Sequence, residues 1–308
     1  MNHQSINWDN LRVFLAVARL QSALEASNHL KLDQSTIGRR LKKLEDEIGS
    51  ELFIRNSQGH TLNANGHLLL EYAESIENII SSMESKLGGD SQVLTGSVRL
   101  GATEGFGGSF LASHLANFCE LHPGLTVDLL ALPRFINLSK READLVISIE
   151  RPKTGPYVVC KLTDYRLQVY ATQEYLDTHE KITNLEELGK HKLTGYVDEY
   201  SFSPELQYLQ NLAPNGQVPF RSSSLVAQLH AATQGKMLAI LPCFLAKQYQ
   251  CLKPVLPSKT GFNRTFWLIS PSERKSIARV SELWNYLRHI SSINQDYLLG
   301  DSPHINWR

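Results

Sequence analysis

The sequence predicts an α+β protein with several domains, and three observations lead to that fold class. The chain has 308 residues, about twice the usual size of one domain, so two or more compact units are expected. Short helical patterns fill residues 8–48, a long amphipathic segment follows, and from Val93 onward strand and helix patterns alternate. Hydrophobic residues make up 42% and charged residues 20% of the chain, which excludes a disordered or collagen-like protein.

The net charge and the start of the chain narrow the function classes. Lysine plus arginine and aspartate plus glutamate number 31 each, so attraction to nucleic acid must come from a local basic patch. The N-terminal segment is polar, and no run approaches the roughly 18 apolar residues of a membrane span. We therefore expect a cytoplasmic protein that makes no membrane contact.

Three short helices are predicted in the first fifty residues. The first begins near Trp8, with apolar residues at helical spacing. Ser22 opens the second, and Glu25 completes a capping box, in which side chains satisfy free N–H groups at a helix start. Asp33 is the expected N-cap of the third helix. One face of that helix is apolar, and the region from 34 to 44 carries four basic residues and no acidic residue.

A hairpin and a long helix are predicted next. The apolar run 52–54 leads through a turn at 56–59 to a second short strand at 61–62. Apolar residues then recur every three or four positions from Leu69 to Leu87, and two glycines end the pattern. The preceding small domain is too short to cover this helix, so pairing with the same helix of a second chain is expected.

The rest of the chain alternates predicted strands and helices. This βαβ rhythm implies a mostly parallel sheet with helices on both faces. Strands are expected at 97–100, 126–131, 144–149, 167–171, 192–196, 237–241 and 266–269, and helices at 109–120, 225–234 and 277–289. Residues after Ser291 are expected to form an irregular tail with no assignable role.

The segment from Asn10 to Arg55 resembles the winged helix-turn-helix of LysR-type transcriptional regulators. The likeness lies in Phe14-Leu15-Ala16-Val17-Ala18, Gln34-Ser35-Thr36, Arg39-Arg40, Leu44-Glu45, and Gly49 followed by Leu52-Phe53 and Arg55. It continues in the family's order through Gly96 to Gly101, His122-Pro123, Ala143-Asp144-Leu145, Thr194-Gly195-Tyr196, Ser222 to Gly235, and Leu241 to Ala246. The resemblance covers nearly the whole chain except its tail.

This resemblance implies a domain plan. A winged helix-turn-helix DNA-binding domain would occupy residues 1–62, and a linker and dimerisation helix 63–89. A two-lobed α/β effector domain resembling periplasmic binding proteins would occupy 92–293, followed by a tail at 294–308. Lobe I would comprise about 92–162 and 267–293, and lobe II about 163–266.

The resemblance also implies a function. The expected protein is a sequence-specific DNA-binding transcriptional regulator, controlled by a small-molecule effector that binds between the two lobes. Its expected partners are double-stranded DNA, the effector, RNA polymerase and further copies of itself, as a homodimer or homotetramer. No cofactor is expected. Effector binding would shift the population of arrangements of lobes and paired chains, and so change DNA bending or half-site spacing.

The third helix is suited to enter the major groove of DNA. Its first turn offers short hydrogen-bonding side chains, where Gln34 can read adenine, and Arg39 one turn later can read guanine. Neighbouring basic residues would attract phosphates, and Arg55 in the wing would reach the backbone or the minor groove. The predicted DNA-binding residues are Ser22, Gln34, Ser35, Thr36, Gly38, Arg39, Arg40, Lys42, Lys43 and Arg55.

The effector site is expected where parallel strands end and helices begin. Residues 103–106 follow the first such strand, and residues 107–109 open the next helix, whose free N–H groups suit a carboxylate. Glu104 and Glu150 add negative charge, so the charge of the ligand stays open. With positions implied by the resemblance included, the predicted effector-binding residues are Thr103, Glu104, Gly105, Phe106, Ile149, Glu150, Val197, Ser222, Ser223 and Pro242.

The sequence departs from the family pattern at four places. Gly38 stands where serine is frequent, and glycine inside a helix costs about 1 kcal/mol relative to alanine. Asn63 replaces the threonine that often opens the linker helix, although asparagine also caps helices. Ala26-Ser27 replaces an Ala-Ala pair, and Lys236-Met237 follows a glycine where a second small residue is common.

Two other function classes are weighed against this one. An enzyme with a binding-protein fold is disfavoured because the sequence has no GxSxG, HExxH or P-loop motif and no GxGxxG after a strand. The histidines show no metal-ligand spacing, so no catalytic residue and no metal ligand is proposed. A thiol switch would require Cys243 and Cys251 to approach each other, although the first is expected to begin a structural helix.

Overall fold

The computed structural model describes residues 6–56, 59–87, 94–132, 142–197, 206 and 208–307. The chain forms two compact units, Met1–Gln92 and Val93–Arg308. Each unit has a hydrophobic core of its own, as expected for a chain of this length. Within the described ranges, no helix is both long enough and apolar enough to cross a membrane.

The first unit contains helices and one hairpin. In chain order these are α1 (Trp8–Leu20), α2 (Ala23–Leu30), α3 (Gln34–Ile48), β1 (Phe53–Asn56), β2 (Gly59–Leu62) and α4 (Ala64–Leu87). The two strands are antiparallel, with Phe53 opposite Leu62. The order confirms the three short helices, the hairpin wing and the long helix that the sequence predicts.

Local signals explain where the helices of this unit begin. The Ser22 hydroxyl accepts a hydrogen bond from the Glu25 N–H at 3.2 Å, which confirms the predicted cap of α2. The Asn63 side chain caps α4 by accepting from the Gly66 N–H at 2.8 Å. Asp33 stands at the N-cap position of α3, as predicted, but its side chain makes no cap hydrogen bond. Asp33 is exposed, and water can solvate its carboxylate instead.

A small core holds the elements of the first unit together. Phe14 and Ile37 are fully buried, at 0% exposure, between the short helices. The Phe14 ring lies 5.5 Å from the ring of Phe53, so the hairpin packs on α1. Arg19 of α1 donates to the Glu77 carboxylate of α4 at 2.7 Å. These contacts set α3 in place with its apolar face inward.

The second unit alternates strands and helices. It begins with β3 (Gly96–Thr103), α5 (Glu104–Phe106), a π-helical turn (Gly107–Leu111), α6 (Ala112–Leu121), β4 (Leu125–Leu132) and β5 (Leu145–Ser148). It continues with β6 (Tyr157–Thr172), α7 (Gln173–Thr178), α8 (Leu185–Leu188), β7 (Lys192–Gly195), α9 (Leu209–Leu212) and β8 (Gln217–Arg221). Its last part contains α10 (Leu225–Thr233), β9 (Ala239–Pro242), α11 (Cys243–Ala246), β10 (Leu252–Pro254), α12 (Pro257–Thr260), β11 (Phe262–Pro271), α13 (Ser272–Lys275), α14 (Ala278–Ile293) and α15 (Gln295–Leu299).

These strands form a mixed sheet, so the expectation of a mostly parallel one is wrong. The strand order is β10-β6-β11-β5-β3-β4, and β9 also pairs with β6. Strand β3 is parallel to β4 and β5, as the βαβ rhythm predicts, but β6 pairs antiparallel with β9, β10 and β11. Periodicity reports which side of a strand is buried and carries no information on strand direction.

Two long strands run through the two-lobed α/β fold of this unit. Strand β6 has 16 residues and β11 has 10, and they lie side by side in opposite directions. A register shift interrupts their pairing between Phe266 and Trp267. Strands β7 and β8 form a separate parallel pair. The domain and lobe boundaries proposed from the sequence stay predictions.

The C-terminal segment packs on the second unit, so the expectation of an irregular tail after Ser291 is wrong. Helix α14 extends to Ile293 and α15 follows it. Leu298 is fully buried, and the Tyr297 hydroxyl donates to the Phe244 carbonyl oxygen at 2.9 Å. Because α15 has only five residues, it is too short to show a helical period in the sequence.

Candidate nucleic-acid interface and effector cleft

Helix α3 presents a buried face and an open one. Ile37, Leu41 and Leu44 are at most 2% exposed and hold the helix on the core. The opposite face is exposed and carries Gln34, Ser35, Gly38, Arg39, Lys42 and Lys43; the acidic Asp46, also exposed, follows one turn after Lys42. At 100° per residue these six positions span half of the helix circumference. Six of the predicted DNA-binding residues therefore form one continuous polar and basic surface.

The other predicted DNA-binding residues lie in different settings. Thr36 and Arg40 are half-buried, and the Arg40 guanidinium lies 3.9 Å from the Asp9 carboxylate of α1. Ser22 is half-buried at the start of α2. Arg55 belongs to β1, but its side chain lies outside the described residues. The structure thus brings the α3 residues together and leaves the reach of the wing arginine a prediction.

Gly38 lies inside α3 where nothing in the fold requires a glycine. A Cβ atom added there meets no heavy atom within 4 Å among the described residues. Its φ angle is not among the positive glycine angles of the chain. An alanine would fit and would favour the helix by about 1 kcal/mol. The missing side chain leaves the helix backbone open in the middle of the exposed face.

Helix α4 exposes an apolar stripe. Its exposed large apolar side chains are Leu68, Tyr72, Ile76, Ile79 and Met83, with exposed fractions between 39% and 68%. Contiguous apolar surface of this kind marks an interaction site in a water-exposed protein. The stripe follows the helical period that the sequence shows for this segment.

A cavity of about 50 Å³ lies in the second unit, beyond the ends of strands β3 and β9. Seven predicted effector-binding residues line it: Thr103, Glu104, Gly105, Phe106, Ile149, Ser223 and Pro242. Glu150, Val197 and Ser222 are not part of the lining in the described portion of the chain. The lining residues that the sequence did not identify are Leu132, Tyr165, Leu167, Tyr196, Leu206, Tyr208, Leu225, Phe244 and Phe266.

Stacked aromatic rings fill much of this cleft. The Phe266 ring lies 4.2 Å from that of Phe106 and 4.1 Å from that of Tyr165. These rings come from β11, α5 and β6, which are far apart in the sequence, so no local pattern predicts their contact. Tyr196 could have been found, because it directly follows β7 and strand ends line such sites.

Two tyrosines, the half-buried Tyr196 and the buried Tyr208, face each other at the cleft. The Tyr196 and Tyr208 side chains share a hydrogen bond, and burial raises the pKa of both phenols. Both hydroxyls therefore stay protonated at neutral pH. They supply hydrogen-bonding groups to a lining that is otherwise mostly apolar.

Glu104 connects α5 to the start of α10. The Ser224 hydroxyl donates to Oε1 of Glu104 at 2.8 Å, and the Val226 N–H donates to Oε2 at 3.4 Å. Ser224 is also the N-cap of α10, because its hydroxyl oxygen accepts from the Ala227 N–H at 3.0 Å. The carboxylate therefore lies at the positive end of the α10 dipole.

The helix after β3 begins earlier than predicted, so the expected free N–H groups at 107–109 are wrong. Glu104 starts the helix, and the Gly107 N–H already donates to the Glu104 carbonyl oxygen. A Cβ atom on Gly107 would lie 2.7 Å from the Cβ of Ala131. The glycine permits close packing of the helix on β4 and does not serve to expose N–H groups.

The cysteines give no support to a thiol switch. Cys243 begins α11, as predicted, and is only 2% exposed. Burial raises the pKa of its thiol, which lowers its reactivity, whereas Cys251 is an exposed free thiol. Across the residues that the structure describes, no group of three or more histidine, cysteine, aspartate or glutamate side chains could hold a metal ion.

Comparison with protein families identifies the class to which this fold and these sites belong. The bacterial regulatory helix-turn-helix family of LysR type matches residues 8–67. The LysR substrate binding domain matches residues 91–291. The molecule is therefore a DNA-binding regulator with a ligand-responsive domain. The chain belongs to the family of LysR-type transcriptional regulators, which confirms the resemblance seen in the sequence.

Individual relatives agree with this assignment. The iron-regulated virulence regulatory protein IrgB of Vibrio cholerae is 25% identical over 269 residues, which are 85% of this chain and 88% of that protein. The Mau operon transcriptional activator of Paracoccus denitrificans is 26% identical over 265 residues, 86% of this chain and 89% of that protein. The first is named as a regulatory protein and the second as a transcriptional activator.

Solved structures show the same fold. A mutant of OxyR from Corynebacterium glutamicum matches with a TM-score of 0.68 at 19% identity, covering 95% of this chain and 94% of that one. CrgA, a LysR-type regulator from Neisseria meningitidis, matches with a TM-score of 0.58 at 22% identity, covering 93% of this chain and 99% of that one.

Proposed function

We propose that this regulator reads its operator with the open face of α3. The observation that carries the proposal is the continuous surface of exposed polar and basic side chains on that helix. Gln34 and Arg39 would contact base edges in the major groove, and Lys42 and Lys43 would contact phosphates. Arg55 from the wing would add a backbone or minor-groove contact. Arg40, drawn toward Asp9, would contribute mainly to the local positive potential.

The exposed stripe of α4 would join two chains into a homodimer. Five large apolar side chains on one helix would become buried against the same helix of a second copy. Two α3 helices would then reach successive major grooves of a partly symmetric site. Replacement of Ile79 by glutamate should yield monomers in light scattering after size exclusion. The matched change Leu185→Glu, at an exposed apolar side chain outside α4, should leave the dimer intact.

The cavity in the second unit would hold the effector. A ligand there would touch α5, β9 and the start of α10, and so change the balance between arrangements of the two lobes. Because ligand and DNA bind the same molecule, each should alter the affinity of the other by the same factor. Such a protein would act in the cytoplasm, contact RNA polymerase at its promoters and catalyse no reaction.

Genomic DNA fragments recovered by the purified protein, then sequenced, test the proposed DNA recognition. The expected result is a partly symmetric motif, which Arg39→Ala abolishes. Lys181→Ala, which removes an exposed positive charge from the second unit, should recover the same motif as the unaltered protein. Indiscriminate recovery by the unaltered protein would show that α3 is only a basic surface.

A further inference from the structure

The effector cleft carries an electrostatic feature that constrains its ligand. Among the described residues that line it, the only charged side chain is the carboxylate of Glu104. The remaining lining is aliphatic or aromatic, apart from a few hydroxyl groups and backbone atoms. A charge in such surroundings is weakly screened, so its field in the cavity is stronger than it would be in water. Within the described lining, Glu104 therefore supplies a negative charge that no other charged side chain of that lining offsets.

The Glu104 carboxylate occupies the start of α10, where an anionic ligand would otherwise be expected to bind. The first N–H groups of a helix such as α10 have no partner within the helix, and the helix dipole is positive there. Together they attract carboxylates and phosphates. In this protein the two oxygens of Glu104 already accept from Ser224 and Val226 at that helix end. An anionic ligand would have to displace Glu104 or lie beside a second negative charge.

The other polar groups of the lining suit a hydrogen-bond donor. The phenol oxygens of Tyr196 and Tyr208 and the hydroxyl of Ser223 can all accept hydrogen bonds. An ammonium group has three donors, and these oxygens together with the Glu104 carboxylate can accept from all three. Leu225 and Pro242 provide apolar surface for a hydrocarbon body.

The volume limits the size of the ligand. The cavity of about 50 Å³ is smaller than the roughly 150 Å³ of an apolar cavity that accepts benzene. The stacked rings of Phe106, Phe266 and Tyr165 occupy the neighbouring space. A short aliphatic chain with a compact head group therefore fits this cleft better than a ring does.

We propose that the cleft binds a small organic cation, a protonated amine with a short aliphatic body, whose ammonium group lies against the Glu104 carboxylate. The amine donates to Glu104 and to the tyrosine oxygens, and its body contacts the apolar wall. As the chemical class of the effector, this inference rests on the function proposed above.

Three small probes of different charge test this assignment: ethylamine, sodium acetate and ethanol, with the full-length protein at pH 7 and constant ionic strength. Binding is measured by thermal unfolding and by ligand-observed NMR. We expect ethylamine to bind at least tenfold more tightly than acetate, with ethanol between them. Glu104→Gln should reduce amine binding at least tenfold, and Glu186→Gln, at an exposed carboxylate outside the lining, should leave it unchanged.

Several results would overturn the proposal: tighter binding of acetate, equal binding of the three probes, binding of none, or loss of amine binding in Glu186→Gln alone. If Glu104→Gln does not fold, the comparison of the three probes with the unaltered protein still decides. Failure of effector control appears separately, as Glu104-dependent amine binding that leaves the DNA footprint unchanged. Failure of DNA recognition appears separately, as indiscriminate recovery of genomic fragments in the pull-down, and leaves the measured amine binding unaffected.

Discussion

The open face of α3 and the effector cleft use their side chains in opposite ways. On α3, six neighbouring positions point to solvent and make few contacts within the protein. In the cleft, rings from different elements stack on each other at about 4 Å and leave only a small cavity. The first surface is ready to meet a rigid, highly charged partner. In the effector cleft, the stacked side chains must move apart before a ligand larger than a few atoms can enter.

This difference predicts different consequences of substitution. A side chain on the α3 face can be removed with little loss of stability, because it is exposed. A ring in the cleft cannot be removed in this way, because it is part of the hydrophobic core of the second unit. Substitutions on the α3 face should therefore change DNA binding with little change in stability, whereas substitutions of the cleft rings should change both ligand binding and stability.

Phe266→Ala should give the largest effect and tests that coupling directly. The ring is 2% exposed and stacks on both Phe106 and Tyr165, so its loss should lower the free energy of unfolding by about 3–5 kcal/mol. Urea unfolding followed by tryptophan fluorescence measures this. Arg39→Ala, the control on the other surface, should change the same quantity by less than about 0.5 kcal/mol. A similar decrease in the free energy of unfolding in both variants would show that the α3 face and the cleft contribute to stability in the same way.

The stability of the second unit should depend on His114, the next largest effect. His114 is fully buried between the rings of Phe110 and Trp307, and neither ring nitrogen has a hydrogen-bond partner among the described residues. Burial lowers its pKa from 6.5 to about 4. The unfolded chain therefore takes up the proton first, so the stability that His114 contributes is present above pH 6.5 and is lost as the pH falls toward 4.

The expected loss is about 3 kcal/mol over that pH range. It is measured as the free energy of unfolding at pH 7 and at pH 4, in the unaltered protein and in His114→Leu. The variant should show a smaller loss because it has no imidazole to protonate. Equal pH dependence in the two proteins would mean that His114 titrates normally and that the C-terminal segment does not bury it in solution.

Gln34→Ala and Lys42→Ala should separate the two kinds of contact within the α3 face. Loss of Gln34 should reduce discrimination at one base pair by about 1–3 kcal/mol, because its contact reads a base edge. Loss of Lys42 should weaken binding to all sequences alike. It should also reduce the slope of log K against the logarithm of the salt concentration by about 1. Titrations of operator and single-base variants at several salt concentrations measure both. Equal weakening of binding to the operator and to all its single-base variants in Gln34→Ala would show that Gln34 contacts the DNA backbone and not a base edge.

Gly38→Ala should raise the stability slightly and weaken operator binding. The added methyl group meets nothing within 4 Å, so the helix should gain about 1 kcal/mol. If the open backbone at Gly38 permits close approach to DNA, the same variant should bind its operator more weakly. Unfolding and operator titration on one protein sample provide both values. Greater stability with unchanged binding would show that the glycine has no role in recognition.

Much of the first unit could be predicted because its signals are local. The Ser22 cap, the apolar face of α3 and the stripe of α4 each lie within one helix, so spacing alone reveals them. In the second unit, the βαβ rhythm correctly predicted the parallel pairing of β3 with β4 and β5. It failed for β6 and β11, because alternation of burial is the same in parallel and antiparallel strands.

The sequence by itself determined the family, the element order of the first unit and the charge of the α3 face, because these depend on residues close together in the chain. Only the tertiary structure decided the lining of the cleft, where rings from α5, β6 and β11 meet. It also decided that Glu104 occupies the start of α10 and that the C-terminal segment covers His114. These contacts join residues more than a hundred positions apart, and such pairings arise from packing of whole elements, which leaves no periodic trace in the sequence.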